Sequence, residues 1–359
     1  MTRVLTVRPH APETGLIVHA AAEILRGRLV AFPTETVYGL GANALDSQAV
    51  ARVFEAKGRP ATDPLIVHLV SADDLRRVAR DVPQVAYALA RAFWPGPLTL
   101  VLPKHSAIPD DVTAGLRTVA VRVPAHSVAL ALLRASGAPI AAPSANRFGG
   151  VSPTTAQHVL DDLAGRIDLI LNGGPTPIGV ESTVLDVTRT PPLILRPGGV
   201  TREALEEIIG PVAVRGECGR EAMSSPEAGS SPGPQPSPGL LAKHYAPRAE
   251  LVLCAGARAA AVEKMAWLAH LNHADGRRVG LLLADEDMPN FSDVPARFFC
   301  LGPAGDLAQI ARNLFTGLRA LDEQGVEVIL ARDFGEQGLG LAIRDRLRRA
   351  ASQVIFVSR

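Results

Sequence analysis

Lys57 and Arg59 open the stretch KGRPATDPL, just beyond an expected helix, on a backbone stiffened by Pro60 and Pro64. Two cations on such a loop can hold a polyphosphate, arginine through its planar fork and lysine as a point charge. Lys57 alone would equally serve as a cation in a last helical turn, complementing the helix dipole. Arg122 stands inside the apolar run TVAVRVP, Thr118 to Pro124. Strand alternation puts Val119, Val121 and Val123 on one face and Thr118, Ala120 and Arg122 on the other. A charge there needs a counter-ion or water, so the polar face either lines an anion-binding cleft or is solvated.

Four further segments combine small polar residues with glycine. FPTETVYGLG, Phe32 to Gly41, follows an apolar strand and carries hydroxyls, a carboxylate and a phenol. That suits a pocket rim, or a turn in which Thr34 bonds a nearby backbone N–H. APSANRFGGVSPTT, Ala142 to Thr155, offers Ser144, Asn146, Ser152 and nearby amides as donors to a ligand's oxygens. Ser152 or Thr154 would also cap the next helix, with Pro153 at an early position. Farther on lie NGGPTPIGVESTVLD, Asn172 to Asp186, and LRPGG, Leu195 to Gly199. Their glycines permit close backbone approach, and Arg196 at a strand end could reach a phosphate or lie on the surface.

Several chemistries are excluded. No G-x-x-x-x-G-K-[ST], serine nucleophile elbow or HExxH occurs, so phosphate handling is not of the ordinary nucleoside-triphosphatase type. His270 and His273 lack the companions of a structural zinc site. With 37 basic and 36 acidic side chains the net charge is +1, so any anion site is local. Cys218, Cys254 and Cys300 fit neither a disulfide framework nor a zinc cluster, which points to a reducing compartment. Without an apolar run near the N-terminus or a membrane-span-length apolar stretch, a cytoplasmic location is expected.

The elements that must position these residues are legible in outline. A length of 359 residues suggests two domains, and the segment from Gly216 to Gly239, with five prolines and no periodicity, reads as an extended tether. Before it, strand-like runs at 29–32, 65–69, 98–102, 119–123, 169–171 and 183–187 alternate with helical patterns. Asp46 and Ser47 should cap a helix ending at Lys57, with Gly58 as its stop. After the tether, runs at 251–253, 279–283, 298–301, 326–330 and 354–357 alternate with helices, predicting a parallel sheet covered on both faces.

In this order, FPTETVYGLG, KGRPATDPL, RVP, PSAN with SPT, and GVEST with LRPG resemble the YrdC-like threonylcarbamoyl-AMP synthases. HYAP, His244 to Pro247, and the α/β pattern after it resemble the family's long, two-domain form. The resemblance implies an N-terminal YrdC-like domain, an open twisted α/β sheet with a concave basic cleft, over 1–212. It further implies a linker with HYAP acting as a lid over 213–247, and a smaller Rossmann-like parallel-sheet domain over 248–359. ATP would be held by Lys57, Arg59, Asp63, Thr118, Ser144, Asn146, Ser152, Arg196 and Tyr245, with Lys57, Arg59, Ser144 and Asn146 closest to the chemistry. Threonine would lie against Thr34, Tyr38, His68, Arg122, the backbone at Ala142, and Ser182. Asp63 and Asn172 depart from the pattern common in the family, and a carboxylate at 63 would repel polyphosphate unless it faces Mg²⁺ or solvent.

The implied reaction joins ATP, L-threonine and bicarbonate into L-threonylcarbamoyl-AMP and diphosphate, with Mg²⁺ accompanying ATP and no tightly bound organic cofactor. The product would supply a separate transferase complex that modifies adenosine in tRNA. A weak RNA or tRNA contact, no membrane, and a monomer or homodimer complete the expectation. Two readings compete with it. A non-catalytic RNA-binding module is disfavoured by near-neutral charge and 4% aromatic residues. A carbamoyl-transferring maturation enzyme would carry Cys-x-x-Cys zinc motifs, which this sequence lacks.

Overall fold

The computed structural model describes residues 1–216, 235–237 and 244–358, so most of the expected tether lies outside the described residues. Two units emerge. The first is built from 1–148, 153–176, 181–216 and 235–237; the second from 149–152, 177–180 and 244–358.

The first unit is organised by eleven strands: β1 (Arg3–Thr6), β2 (Val30–Phe32), β3 (Gly39–Asn43), β4 (Ile66–His68), β5 (Leu98–Pro103), β6 (Thr118–Arg122), β7 (Ile140–Ala141), β8 (Leu169–Asn172), β9 (Thr183–Asp186), β10 (Leu193–Arg196) and β11 (Ala213–Val214). They form one mixed sheet in the order β1-β8-β2-β3-β7-β4-β6-β5-β9-β10-β11. Strands β2, β4, β5, β6, β8 and β9 fall on the apolar runs named from the sequence, whereas β1, β3, β7, β10 and β11 were not among those runs; the antiparallel pairings, such as β2 with β3 and β5 with β6, depend on long-range register. On one flank, Ile17, Ala20 and Ile24 of the helix Thr14–Leu25 and Leu132 and Leu133 of the helix Ser127–Ser136 pack with Phe32, Ile140, Leu169 and Leu171. All of these are essentially excluded from water, which fixes the strands carrying the polar loops.

The helix Ser47–Lys57 forms as the sequence predicts. Asp46 accepts from the amides of Gln48 and Ala49, and Gly58 ends the helix at φ 65°, where a side chain would be strained. The next cap differs from expectation. Neither Ser152 nor Thr154 starts the helix Ala156–Leu163; Thr155 does, accepting from the amide of His158. SPTT carries hydroxyls at 152, 154 and 155, so the pattern places the cap only to within a few residues, and the reading stopped short of Thr155.

The second unit's strands, β12 (Glu250–Gly256), β13 (Val279–Leu283), β14 (Arg297–Cys300), β15 (Val328–Arg332) and β16 (Gln353–Val357), pair in parallel throughout, in the order β14-β13-β15-β12-β16. Val252, Cys254, Leu281 and Val328 face Ala261, Met265 and Ala269 of the helix Arg258–Ala274. The alternate residues Leu251, Leu253 and Ile329 are buried as well, so both faces are covered. Cys254 is a buried free thiol and Cys300 an exposed one; Cys218 lies outside the described residues. No described helix is long and apolar enough to cross a membrane.

Candidate active site

Register brings several polar residues to one end of the first sheet. Strands β4 and β6 run parallel and finish together, with His68 opposite Arg122. Strand β5 runs against β6 and starts at that end, where Gly96 O accepts from Arg122 Nε at 3.2 Å. Strand β9, parallel to β5, begins immediately after Ser182, and β10 returns to finish on Arg196. Non-local pairing thus gathers residues far apart in the chain.

Arg122 is neither solvated nor facing open water. It is 3% exposed, with Nη2 2.6 Å from Glu35 Oε1 and Nη1 donating to Thr36 Oγ1 at 3.0 Å. The counter-ion comes from the turn between β2 and β3, and motif reading did not single it out. In the same turn Thr34 Oγ1 lies 2.8 Å from Thr36 Oγ1, accepts from the amides of Thr36 and Val37, and donates to Val37 O at 2.6 Å. The turn reading of Thr34, with its hydroxyl on nearby backbone N–H groups, is the one these bonds describe.

His68 is sealed at this end. Its Nδ1 lies 3.3 Å from Ile66 O, and burial, with the nearby Arg122 charge, pushes its pKa down to about 3. A neutral imidazole results. Between about pH 6.5 and 3 the unfolded chain takes up a proton that the folded chain refuses. Stability contributed by the neutral ring is complete above pH 6.5 and is lost as pH falls through this window. Unfolding free energies of His68→Gln from urea titration should therefore fall less steeply from pH 6.5 to 4 than those of the parent, by up to about 1.4 kcal/mol per pH unit. Parallel curves would contradict the assignment.

Lys57 occupies a second cluster. The side chain is 2% exposed and its ammonium donates to Ser144 O and Asn146 O, each at 2.6 Å. Burial and Arg59 hold its pKa well below the usual lysine range. The lysine of one motif thus ties down the PSAN loop of another. Ser144 Oγ donates to Asn146 Oδ1 at 2.5 Å, and Asn146 Nδ2 to Arg147 O at 2.8 Å. Tyr38 joins the same loop through its carbonyl, which accepts from the Ala145 amide at 2.8 Å, while its hydroxyl donates to Gly174 O at 2.7 Å. Burial raises the pKa of that phenol, so it stays a neutral donor.

Arg59 folds back on its own loop, donating to Asp63 O at 3.0 Å and Pro64 O at 2.7 Å, with Nη2 2.9 Å from Asp63 Oδ2. Asp63 is completely buried. It faces an arginine rather than solvent, which answers the charge problem its carboxylate raised. Gln235 donates its amide to Thr62 O of this loop at 3.0 Å.

Arg196 is buried, with Nη2 3.1 Å from Ser182 O, and Ser182 Oγ lies 2.8 Å from Thr99 Oγ1. Gly198 explains the spacing of LRPGG and GVEST: a Cβ there would stand 2.3 Å from Glu181 O and 2.4 Å from Thr183 N. Close backbone approach is the glycine's task.

The remaining expected residues have other places in the fold. Thr118 opens β6, four residues from Arg122 and so roughly 13 Å away along the strand. The Ala142 amide is spent on Ile66 O at 2.9 Å. Ser152 and Tyr245 belong to the second unit, both buried; Tyr245, at φ 62°, stacks on Phe315 with ring centroids 5.6 Å apart.

At one end of the mixed sheet, strand ends and loops thus collect buried cations, hydroxyls and backbone donors that hold one another. Comparison with known proteins specifies the class. Residues 22–198 match the family described as "Telomere recombination", and residues 200–352 match "Threonylcarbamoyl-AMP synthase, C-terminal domain". A threonylcarbamoyl-AMP synthase of Pyrococcus abyssi is 47% identical, with 99% of each chain covered. One of Bacillus subtilis is 46% identical, covering 93% of this chain and 92% of that one. The crystal structure of P. abyssi Sua5 complexed with L-threonine superposes with a TM-score of 0.90, at 47% identity, over 99% of this chain and 100% of that one. The chain belongs to the threonylcarbamoyl-AMP synthase family.

Proposed function

We propose that the chain condenses ATP, L-threonine and bicarbonate into L-threonylcarbamoyl-AMP with release of diphosphate, and that the product serves tRNA modification. The observation that carries the reading is the mutual bracing of the family's motifs in the first unit: Lys57 with Ser144 and Asn146, Arg122 with Thr36, and Arg196 with Ser182. Family membership and the threonine bound to the P. abyssi protein support it.

In this reading the threonine amine adds to bicarbonate and water leaves, giving a carbamate whose oxygen attacks the α-phosphorus in line as diphosphate leaves. ATP enters with Mg²⁺ as the substrate complex. Lys57, Arg59 and Arg196 offset charge shifting toward the diphosphate, and Ser144, Asn146 and Thr118 orient the nucleotide. Arg59 acts with its fork already shared with Asp63, so the loop arrives pre-shaped and Asp63 serves ATP through Arg59. Arg122 takes the threonine carboxylate, whereas Thr34, Tyr38, His68, Ala142 and Ser182 enclose the hydroxyethyl side. The segments 1–212 and 248–359, joined by the linker 213–247, act as catalytic and accessory domains in a cytoplasmic protein.

Diphosphate release titrated with threonine, beside RNA binding titrated with salt, tests this reading. Release that saturates with threonine is expected. RNA binding without threonine-dependent release would replace the synthase with a binding module.

A further inference from the structure

The pocket read above as an amino-acid site contains a second charge with no stated task. Glu35 is 4% exposed, and Arg122 Nη2 lies 2.6 Å from its Oε1. Yet neither Glu35 oxygen, nor Arg122 Nη2, has a well-formed hydrogen bond to any described residue. The rest of the guanidinium is fixed, Nη1 on Thr36 Oγ1 and Nε on Gly96 O. The two charges are therefore close in distance and poor in angle.

Such an arrangement is expensive for a purely structural contact. A buried ion pair offsets its desolvation only when its remaining lone pairs and protons are also satisfied, and buried polar atoms almost always find partners. Here the bare atoms point to a ligand that brings both a donor and an acceptor. An α-amino acid does so, with an ammonium and a carboxylate on the same carbon. Its entry would exchange one badly directed Arg–Glu contact for two charge-assisted hydrogen bonds.

We infer that Glu35 and Arg122 form a receptor for an α-amino-acid zwitterion, Glu35 taking the α-ammonium and Arg122 the α-carboxylate. The inference rests on the proposed threonine site and adds to it a group that fixes the nitrogen where the carbamate must form. Glu35 lies between Thr34 and Thr36, so the turn that presents hydroxyls to the substrate also presents the charge.

Calorimetric titration of the full chain with L-threonine and with (3R)-3-hydroxybutyrate, which lacks the amino group, tests it. The unaltered protein should bind threonine at least 10-fold more tightly than hydroxybutyrate. Glu35→Gln should weaken threonine about 10- to 100-fold, leave hydroxybutyrate unchanged or tighter, and leave ATP binding unchanged. Glu35→Asp should fall between the two. Equal threonine binding by parent and Glu35→Gln, or equal loss of both ligands, overturns the ammonium assignment. If Glu35→Gln does not fold, equal affinity of the unaltered protein for threonine and hydroxybutyrate overturns it. No threonine binding by the unaltered protein overturns the amino-acid site itself, a result distinct from losing only the ammonium preference.

Discussion

Lys57→Met is expected to reduce threonine-dependent diphosphate release by about 10²- to 10³-fold, the loss usual when one preorganised donor to a developing charge is removed. Methionine fills much of the same volume and keeps the helix Ser47–Lys57 intact, since its propensity matches that of lysine. What disappears is the ammonium that binds Ser144 O and Asn146 O. Those carbonyls lose a buried charged donor, and the PSAN loop loses the tie that sets its distance from the helix end. The effect should therefore extend beyond one lost phosphate contact. Lys57→Arg distinguishes charge from geometry: its guanidinium keeps the charge but cannot place one nitrogen between both carbonyls, so it should remain at least 10-fold impaired. Initial rates at saturating ATP, threonine and bicarbonate provide the check. A near-normal Lys57→Met rate would refute the role.

Asp63→Ala should produce the largest loss of stability. The Arg59–Asp63 pair is buried on both sides, with side-chain exposures of 3% and 0%. Removing one member of a buried pair leaves the other charge uncompensated and costs about 3–5 kcal/mol. For a unit of this size that corresponds to a melting temperature lower by on the order of 10 °C. Asp63→Asn keeps a polar group of the same shape beside Arg59 and should lose less. Thermal or urea unfolding, followed through the first unit, measures both. If alanine and asparagine prove equally mild, the carboxylate is not what holds Arg59 in place.

Much of this organisation was readable from local pattern. The cap at Asp46 and the stop at Gly58 are short-range signals, and they fix where Lys57 emerges. The all-parallel second sheet follows from strands alternating with helices. Partners were the illegible part. Arg122 looked like a lone strand arginine because its counter-ion, Glu35, lies 87 positions earlier in a turn rich in hydroxyls. Asp63 looked repulsive toward phosphate because nothing local says that Arg59 curls back four residues to cover it. Lys57 fitted a last-turn cation as well as a phosphate ligand because the carbonyls it holds come from the chain nearly ninety residues later. In each case the residue types were visible, whereas the pairing came from sheet register and loop closure.

The most direct test of the central claim is ATP turnover with threonine and bicarbonate each omitted in turn, combined with mass analysis of the nucleotide product. Diphosphate release that requires both, and a product with the mass of threonylcarbamoyl-AMP, is the predicted result. Diphosphate release at an unchanged rate without threonine would contradict it.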